Sequence, residues 1–172
     1  MLAPAELVRD FVNTYDLDSD ADELASPAEL AVWLRERGLI GPRDRATDDD
    51  LTTALTLREA LRAALRREAP KTPELPALPL LVRVGATPEL VPLEDGVRGG
   101  LARVAAAVTD QSWHRLKVCA EGMCQWAFID SSKNRSRSWC SMRVCGNRTK
   151  TRAYRARKQG SRHPQGSNTD TV

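Results

Sequence analysis

The chain contains four cysteines, and they are arranged as two equally spaced pairs. Cys119 and Cys124 form the first pair, Cys140 and Cys145 form the second, and 15 residues lie between the pairs. Zinc takes four ligands in tetrahedral geometry, and two short cysteine loops can supply all four at about 2.3 Å each. The spacing therefore predicts one structural Zn²⁺ per chain.

The energetics of so small a segment favour the same interpretation. About 45 residues that surround the cysteines contain few large apolar side chains, and such a segment cannot form a stable core alone. Bound zinc contributes on the order of 10 kcal/mol to the folding of such modules. A redox dithiol pair normally has a two-residue gap, and a catalytic zinc site keeps an open position and usually includes histidine. His114 and His163 are not needed as ligands here.

Charge divides the chain at about residue 112. Residues 1–112 contain 13 basic and 20 acidic side chains, a formal charge of −7, whereas residues 113–172 contain 13 basic and three acidic ones, a formal charge of +10. The three acids are Glu121, Asp130 and Asp170. An asymmetry of this size predicts an acidic domain joined to a segment that binds a polyanion.

The sequence has neither the apolar runs of a membrane protein nor the leader of a secreted protein. The longest apolar runs are far shorter than the roughly 20 residues of a membrane-spanning helix. Residues 1–10 include Glu6 and Asp10 and have no basic stretch followed by an apolar one, so no secretory signal is expected. We therefore expect a cytoplasmic protein with reduced cysteines. No Ser-His-acid set and no paired-carboxylate site is recognisable, so no enzymatic activity is predicted.

The helix predicted after the last cysteine is strongly basic. Residues 145–158 contain six cations and no acid, and at 100° per residue three of the arginines share one face. Nucleic-acid phosphates would neutralise these charges, although a charge run is often only a solubilising surface. The predicted DNA-binding residues are Arg148, Lys150, Arg152, Arg155, Arg157 and Lys158. Arg148 has two open interpretations: contact with phosphate, or bracing of the negative metal cluster.

The first half of the chain has the periodicity of an α-rich domain with some strand. Asn13 and Thr14 end the first predicted helix, where they either satisfy backbone groups or line a ligand site. The acidic loop around Asp18, Asp20 and Asp22 only imitates a calcium loop, because the required glycine is replaced by Glu23. The pattern predicts helices at 4–15, 27–38, 48–69 and 100–110, strands at 80–84 and 90–93, a proline-rich connector at 70–79, and a flexible turn at 96–100. In the cysteine segment it predicts a hairpin whose strands are 126–130 and the residues leading to Trp139.

Two sequence patterns resemble known families. From Cys119 to Lys150 the chain contains Cys-x4-Cys-x-Trp-x-Phe-x-Asp-x-Ser, then Arg-x-Trp-Cys-Ser-Met-x-x-Cys-Gly-Asn-Arg-x-Lys. This pattern resembles the CGNR zinc finger. Earlier segments are similar to the ABATE domain, which commonly precedes that finger: Phe11-Val12-Asn13-Thr14, Asp22-x-Leu24, Leu30-x-x-Trp33-Leu34 and Leu57-Arg58-Glu59-Ala60-Leu61-Arg62.

The resemblance implies an α+β, mostly helical protein with three parts. An ABATE-like domain that senses a small-molecule effector would occupy residues 1–112, a treble-clef-like zinc finger built of a β-hairpin and a helix would occupy 113–158, and a disordered tail would follow at 159–172. The expected function is DNA-binding transcription regulation linked to stress. The alternatives are an RNA-binding zinc module, or a ligand-binding or enzymatic first domain with the finger as scaffold. Trp126, Phe128 and Trp139 are expected to pack in the core, and an exposed tryptophan would favour RNA.

Overall fold

The computed structural model describes residues 2–69 and 77–160 of the chain. Within these residues the fold combines α-helices with small two-stranded antiparallel sheets, which confirms the α+β class. The helices are α1 (Pro4–Val12), α2 (Pro27–Glu36), α3 (Asp48–Arg66), α4 (Gly96–Ala106) and α5 (Asn147–Gly160). The paired strands are β1 (Tyr15–Asp16) with β2 (Ala21–Asp22), β3 (Leu80–Arg83) with β4 (Glu89–Pro92), and β5 (Leu116–Val118) with β6 (Ala127–Ile129).

Side-chain caps fix the starts of α2 and α3, which lie where the sequence predicted these helices to begin. The Ser26 hydroxyl accepts a hydrogen bond from the Glu29 backbone N–H at the start of α2. At the start of α3, Thr47 and Asp50 each bond the other's backbone N–H. These contacts satisfy backbone donors that have no partner inside the helix.

Five helix ends differ from the predicted ones, including the ends of α2 at residue 36 rather than 38 and of α4 at residue 106 rather than 110. Helix α1 ends at Val12 rather than residue 15, because Asn13 leaves the helix to bond β6. Helix α3 ends at Arg66, because Arg67 adopts a left-handed backbone with φ 59° before the chain reaches Pro70. Helix α4 begins at Gly96 rather than residue 100.

The glycines of α4 are a packing feature, and their prediction as a flexible turn is wrong. Gly99 and Gly100 are buried inside the helix. A Cβ atom on Gly99 would lie 2.1 Å from the Glu94 carbonyl oxygen, and one on Gly100 would lie 2.9 Å from Ile40 Cγ2. Only glycine permits α4 to approach its neighbours this closely.

The hairpin of the cysteine segment has a different partner strand from the predicted one. Strand β6 lies inside the predicted range, but it pairs with β5, which precedes the first cysteine, and not with the residues leading to Trp139. The register places Leu116 opposite Ile129 and Val118 opposite Ala127. The buried Asp130 carboxylate explains the difference, because it gathers the following residues into a loop through bonds to Ser132 and Arg137.

One hydrophobic core joins the two parts of the chain. Phe11, Leu34 and Leu101 lie in the same buried cluster as Leu116 and Ala127 of the β5–β6 hairpin. The predicted domain boundary at 112/113 thus falls between segments that share a core, and the division into domains stays a prediction.

The structure describes only part of the predicted connector and of the predicted tail. Helix α5 continues to Gly160, two residues beyond the predicted end of the finger at 158. The rest of the predicted tail, 161–172, and residues 70–76 of the predicted connector lie outside the described residues. None of the helices in the described ranges is both long and apolar enough to cross a membrane.

Candidate metal centre and nucleic-acid interface

Four cysteine sulfurs converge at one point, although their residues come from separate loops. Cys119 follows β5, Cys124 lies in the loop to β6, and Cys140 and Cys145 lie before α5. Their Sγ atoms all lie within 4.8 Å of one another. The Cys124–Cys140 and Cys140–Cys145 sulfurs are 3.6 and 3.7 Å apart. Tetrahedral Zn–S bonds of about 2.3 Å require sulfurs about 3.8 Å apart, so the site fits one Zn²⁺.

Two of the four thiols, Cys124 and Cys140, need a metal charge in order to ionise, whereas, despite its burial, backbone hydrogen bonds lower the pKa of Cys119. Burial raises the pKa of Cys140 to about 11 and also raises the pKa of Cys124. Both therefore hold protons at neutral pH until a cation displaces them. Four thiolates close the coordination shell and leave no position for a reacting water. The cofactor is one structural Zn²⁺.

Glu121 connects the first cysteine loop to helix α5. Its side chain is fully buried. One carboxylate oxygen accepts backbone N–H bonds from Met123 and Cys124, and the other accepts a 2.8 Å bond from Arg152. The sequence interpretation assigned Glu121 no role. Its signal was its position between two cysteines as one of three acids in the basic segment.

Asp130 organises the loop between the two cysteine pairs and was likewise assigned no role. Its buried carboxylate accepts bonds from Lys117 Nζ at 2.7 Å, from Ser132 Oγ at 2.6 Å and from the Arg137 backbone at 3.0 Å. The Lys117 ammonium, together with these hydrogen bonds, holds the pKa of Asp130 far below its usual range. The carboxylate is therefore charged throughout the physiological range.

The start of α5 is built by the CGNR residues. The wide helical turn Met142–Gly146 carries Cys145 directly into the helix. Asn147 Nδ2 donates to the Arg143 carbonyl at 2.9 Å. A Cβ on Gly146 would lie 2.5 Å from Met142 Sδ, so a larger residue would force Met142 to move.

Beyond its first turn, α5 is surrounded by solvent. All residues from Lys150 to Gln159 are exposed, including Tyr154 at 60%. The helix packs mainly against the wide turn that precedes it. Its cationic side chains are therefore exposed to solvent on more than one face of the helix.

Two of the six predicted contact residues have acidic partners on other parts of the chain. Arg148 pairs with Asp18 at 3.0 Å, and Arg152 pairs with Glu121 at 2.8 Å. Neither interpretation of Arg148, phosphate contact or bracing of the cysteines, included this pair with the acidic loop. Lys150, Arg155 and Arg157 have no ion pair within the described residues.

The aromatic residues of the finger differ in burial. Phe128 is buried, with the Arg137 guanidinium 5.1 Å from its ring centre, and Trp139 is half-buried. Trp126 is 37% exposed. The expectation of core packing holds for Phe128 and is wrong for Trp126, because the loop around Cys124 leaves that side chain at the surface.

Side chains from the N-terminal part of the chain form hydrogen bonds with the backbone of the finger. Asn13 donates to the Ala127 carbonyl at 2.9 Å and accepts from the Ala127 N–H at 2.7 Å. Arg62 of α3, also buried, donates to the carbonyls of Val12 and Gln125.

Thr14 follows Asn13, and its hydroxyl is hydrogen-bonded to the Phe11 carbonyl and to Arg58. Asn13 and Thr14 therefore make contacts of the structural kind that the sequence suggested. The ligand-binding role of both residues stays a prediction.

Comparison with protein families agrees with this arrangement. A model of the ABATE family, described as "Putative stress-induced transcription regulator", matches residues 5–123. That match covers more than half of the chain. The chain belongs to the ABATE family. A model of the CGNR zinc finger matches residues 115–158, so this ABATE protein carries the finger that its sequence indicated. No match to the chain was found among curated proteins.

Proposed function

We propose that this ABATE protein is a DNA-binding transcription regulator that inserts or lays α5 against duplex DNA. The observation that carries the proposal is the exposure of α5 beside the metal site, with six cations on a helix that has little packing of its own. Unpaired cations on one helix repel one another, and DNA phosphates relieve that repulsion. Lys150, Arg155 and Arg157 are the first candidates for phosphate contact, because they have no ion pair within the described ranges.

We further propose that the finger is treble-clef-like. Its first ligand pair comes from the loop between β5 and β6, and its second pair comes from the approach to a helix. In this arrangement the metal fixes α5 relative to the hairpin, and Glu121 adds a second attachment through Arg152. Both attachments would hold the helix in the orientation in which it meets DNA.

The N-terminal part would sense an effector and would have no catalytic role. Asn13 and Arg62 bond the backbone of the finger directly, so a rearrangement of α1 or α3 changes the position of β6 and its cysteine loop. This gives the proposed regulation a physical route to α5. The site of action would be chromosomal DNA in the cytoplasm.

The test is selection of bound fragments from genomic DNA, followed by titration of the selected duplex at several salt concentrations. Each phosphate contact contributes about −0.9 to the slope of log affinity against log salt. We expect a slope between about −3 and −5, for three to six contacts. A salt-insensitive complex contradicts the proposal, and recovery of random fragments indicates a general DNA-binding protein rather than a regulator.

One observation favours RNA as a second candidate partner. Trp126 and Tyr154 are exposed, at 37% and 60%, and unpaired bases stack on exposed aromatic rings. Competition between the selected duplex and single-stranded RNA of the same sequence separates the two functions. Preference for RNA, lost on Trp126→Ala and retained in Trp33→Phe, would replace the DNA proposal.

A further inference from the structure

A cavity of about 520 Å³ lies where the end of α3 meets the beginning of the finger. Leu65, Arg66 and Arg67 line the cavity from the end of α3. Trp113, in the short helical turn before β5, and Val118 of β5 also line it. Sites for small ligands typically measure about 300–1,000 Å³. The cavity is therefore large enough for a metabolite.

The ionisable side chains around this cavity are mostly basic. Glu68 is the one acid among its lining residues, and it already pairs with Arg66 at 2.8 Å. Arg67 has no ion pair within the described part of the chain. The basic side chains are Arg66, Arg67, His114, Lys117 and Arg137, of which Lys117 already pairs with Asp130. Such a lining favours an anionic ligand, because a guanidinium binds a carboxylate or phosphate through two parallel bonds.

The other part of the lining is apolar. Trp113 is half-buried, and Leu65 and Val118 also contribute side chains that are partly buried. A ligand that fills the cavity would thus place an apolar or aromatic body against these residues while its charged group meets Arg67.

We propose that this cavity binds the effector of the regulator, a small organic anion that consists of an apolar body and one carboxylate or phosphate group. The proposal deepens the proposed regulatory function, on which its biological meaning rests, by giving the effector a chemical class and a place. The site differs from Asn13 and Thr14, whose polar groups bond the protein itself.

The walls of the cavity also connect the ligand to the metal centre and to α5. Cys119 and Gln125 line the cavity, and Gln125 holds α3 through bonds from Arg66 and Arg62. Glu121, in the same cysteine loop, holds Arg152 of α5. An anion held by Arg67 that also draws the neighbouring Arg66 would weaken the bond from Arg66 to Gln125 and thereby loosen the loop that positions the helix.

The test measures binding to the full, zinc-loaded chain without DNA, so that failure of DNA binding and failure of this site are told apart. The probe is 2-naphthoate, titrated against ¹⁵N-labelled protein, and the neutral 2-naphthalenemethanol is the comparator. We expect saturable shifts at Trp113, Val118 and Ala120, with the neutral compound binding about tenfold more weakly. Arg67→Asn removes the cation but tolerates the left-handed backbone, and it should weaken 2-naphthoate binding at least about fivefold.

Arg43→Asn is the matched control, because Arg43 is exposed and does not line the cavity. It should leave 2-naphthoate binding within about twofold of the wild type. The proposal is overturned if 2-naphthoate causes no saturable shifts at these positions. Equal affinity for the neutral compound, or equal effects of the two arginine variants, would overturn it as well.

Discussion

The β5–β6 hairpin and helix α5 meet at the same four cysteines, yet their surroundings are opposite. Leu116 and Ala127 of the hairpin are buried in the core formed by the N-terminal helices. Asn13 bonds both backbone groups of Ala127. Helix α5, by contrast, is exposed from Lys150 to Gln159 and carries unpaired cations within its described length.

The contacts of the hairpin therefore serve folding, and the exposed charges of α5 serve binding. Buried hydrogen bonds and apolar contacts hold the hairpin, so changes there are expected to lower the free energy of unfolding. Exposed cations contribute little to stability, so changes on α5 are expected to lower affinity alone. The metal centre is the connection between the two regions.

The largest effect is expected from loss of a zinc ligand, which tests that connection. Cys145→Ser should remove zinc, whose binding to such modules is worth about 10 kcal/mol or more, and should abolish the helicity of α5. The hairpin should keep its amide-exchange protection, since Leu116 and Ala127 remain packed against the N-terminal helices. Metal analysis and hydrogen exchange measure both results, with wild-type protein treated with a chelator as the parallel case. A variant that keeps one zinc per chain contradicts this account.

A smaller effect is expected when the hydrogen bonds between Asn13 and the hairpin are removed. Asn13→Ala leaves the buried N–H and carbonyl of Ala127 without their partners, which should lower the free energy of unfolding by about 2–3 kcal/mol. Denaturant unfolding of zinc-loaded protein gives the value. The control is Asn147→Ala, which removes one bond of an exposed side chain and should cost under about 1 kcal/mol. Equal costs for the two variants would show that the hairpin is not the more strongly held region.

The smallest effect concerns pH and the loop between the cysteine pairs. Because the Lys117 ammonium keeps the folded-state pKa of Asp130 far below its usual range, Asp130 contributes stability that is fully present above its unfolded pKa of about 3.9. That contribution is lost as the pH falls through the folded pKa. The carboxyl ¹³C shift of Asp130 should therefore stay constant from about pH 7 to pH 4.5, the range just above an ordinary aspartate pKa. A shift that titrates within this range would show that Asp130 is not held by Lys117.

Local signals predicted the parts of the structure that depend on neighbouring residues. The cysteine spacing anticipated the metal cluster, and the predicted helix starts at residues 27 and 48 are those of α2 and α3. Both rest on geometry within a few residues of the chain.

Long-range contacts account for what the sequence did not predict. Strand β6 pairs with β5 rather than with the residues before Trp139, because the Asp130 carboxylate organises the intervening loop. Arg148 and Arg152 are paired by Asp18 and Glu121, which lie 130 and 31 residues away along the chain. No periodicity or spacing shows which distant acid meets which arginine.

The division between a packed hairpin and a binding helix is tested most directly by a triple variant, Lys150→Gln with Arg155→Gln and Arg157→Gln. Its control changes three exposed arginines of the N-terminal part in the same way, namely Arg43, Arg45 and Arg83. Zinc content and the free energy of unfolding should be retained within about 0.5 kcal/mol, while the salt slope of DNA binding should fall in magnitude by about 2.7. A triple variant that binds DNA no differently from the control would contradict the assignment of α5 as the binding element.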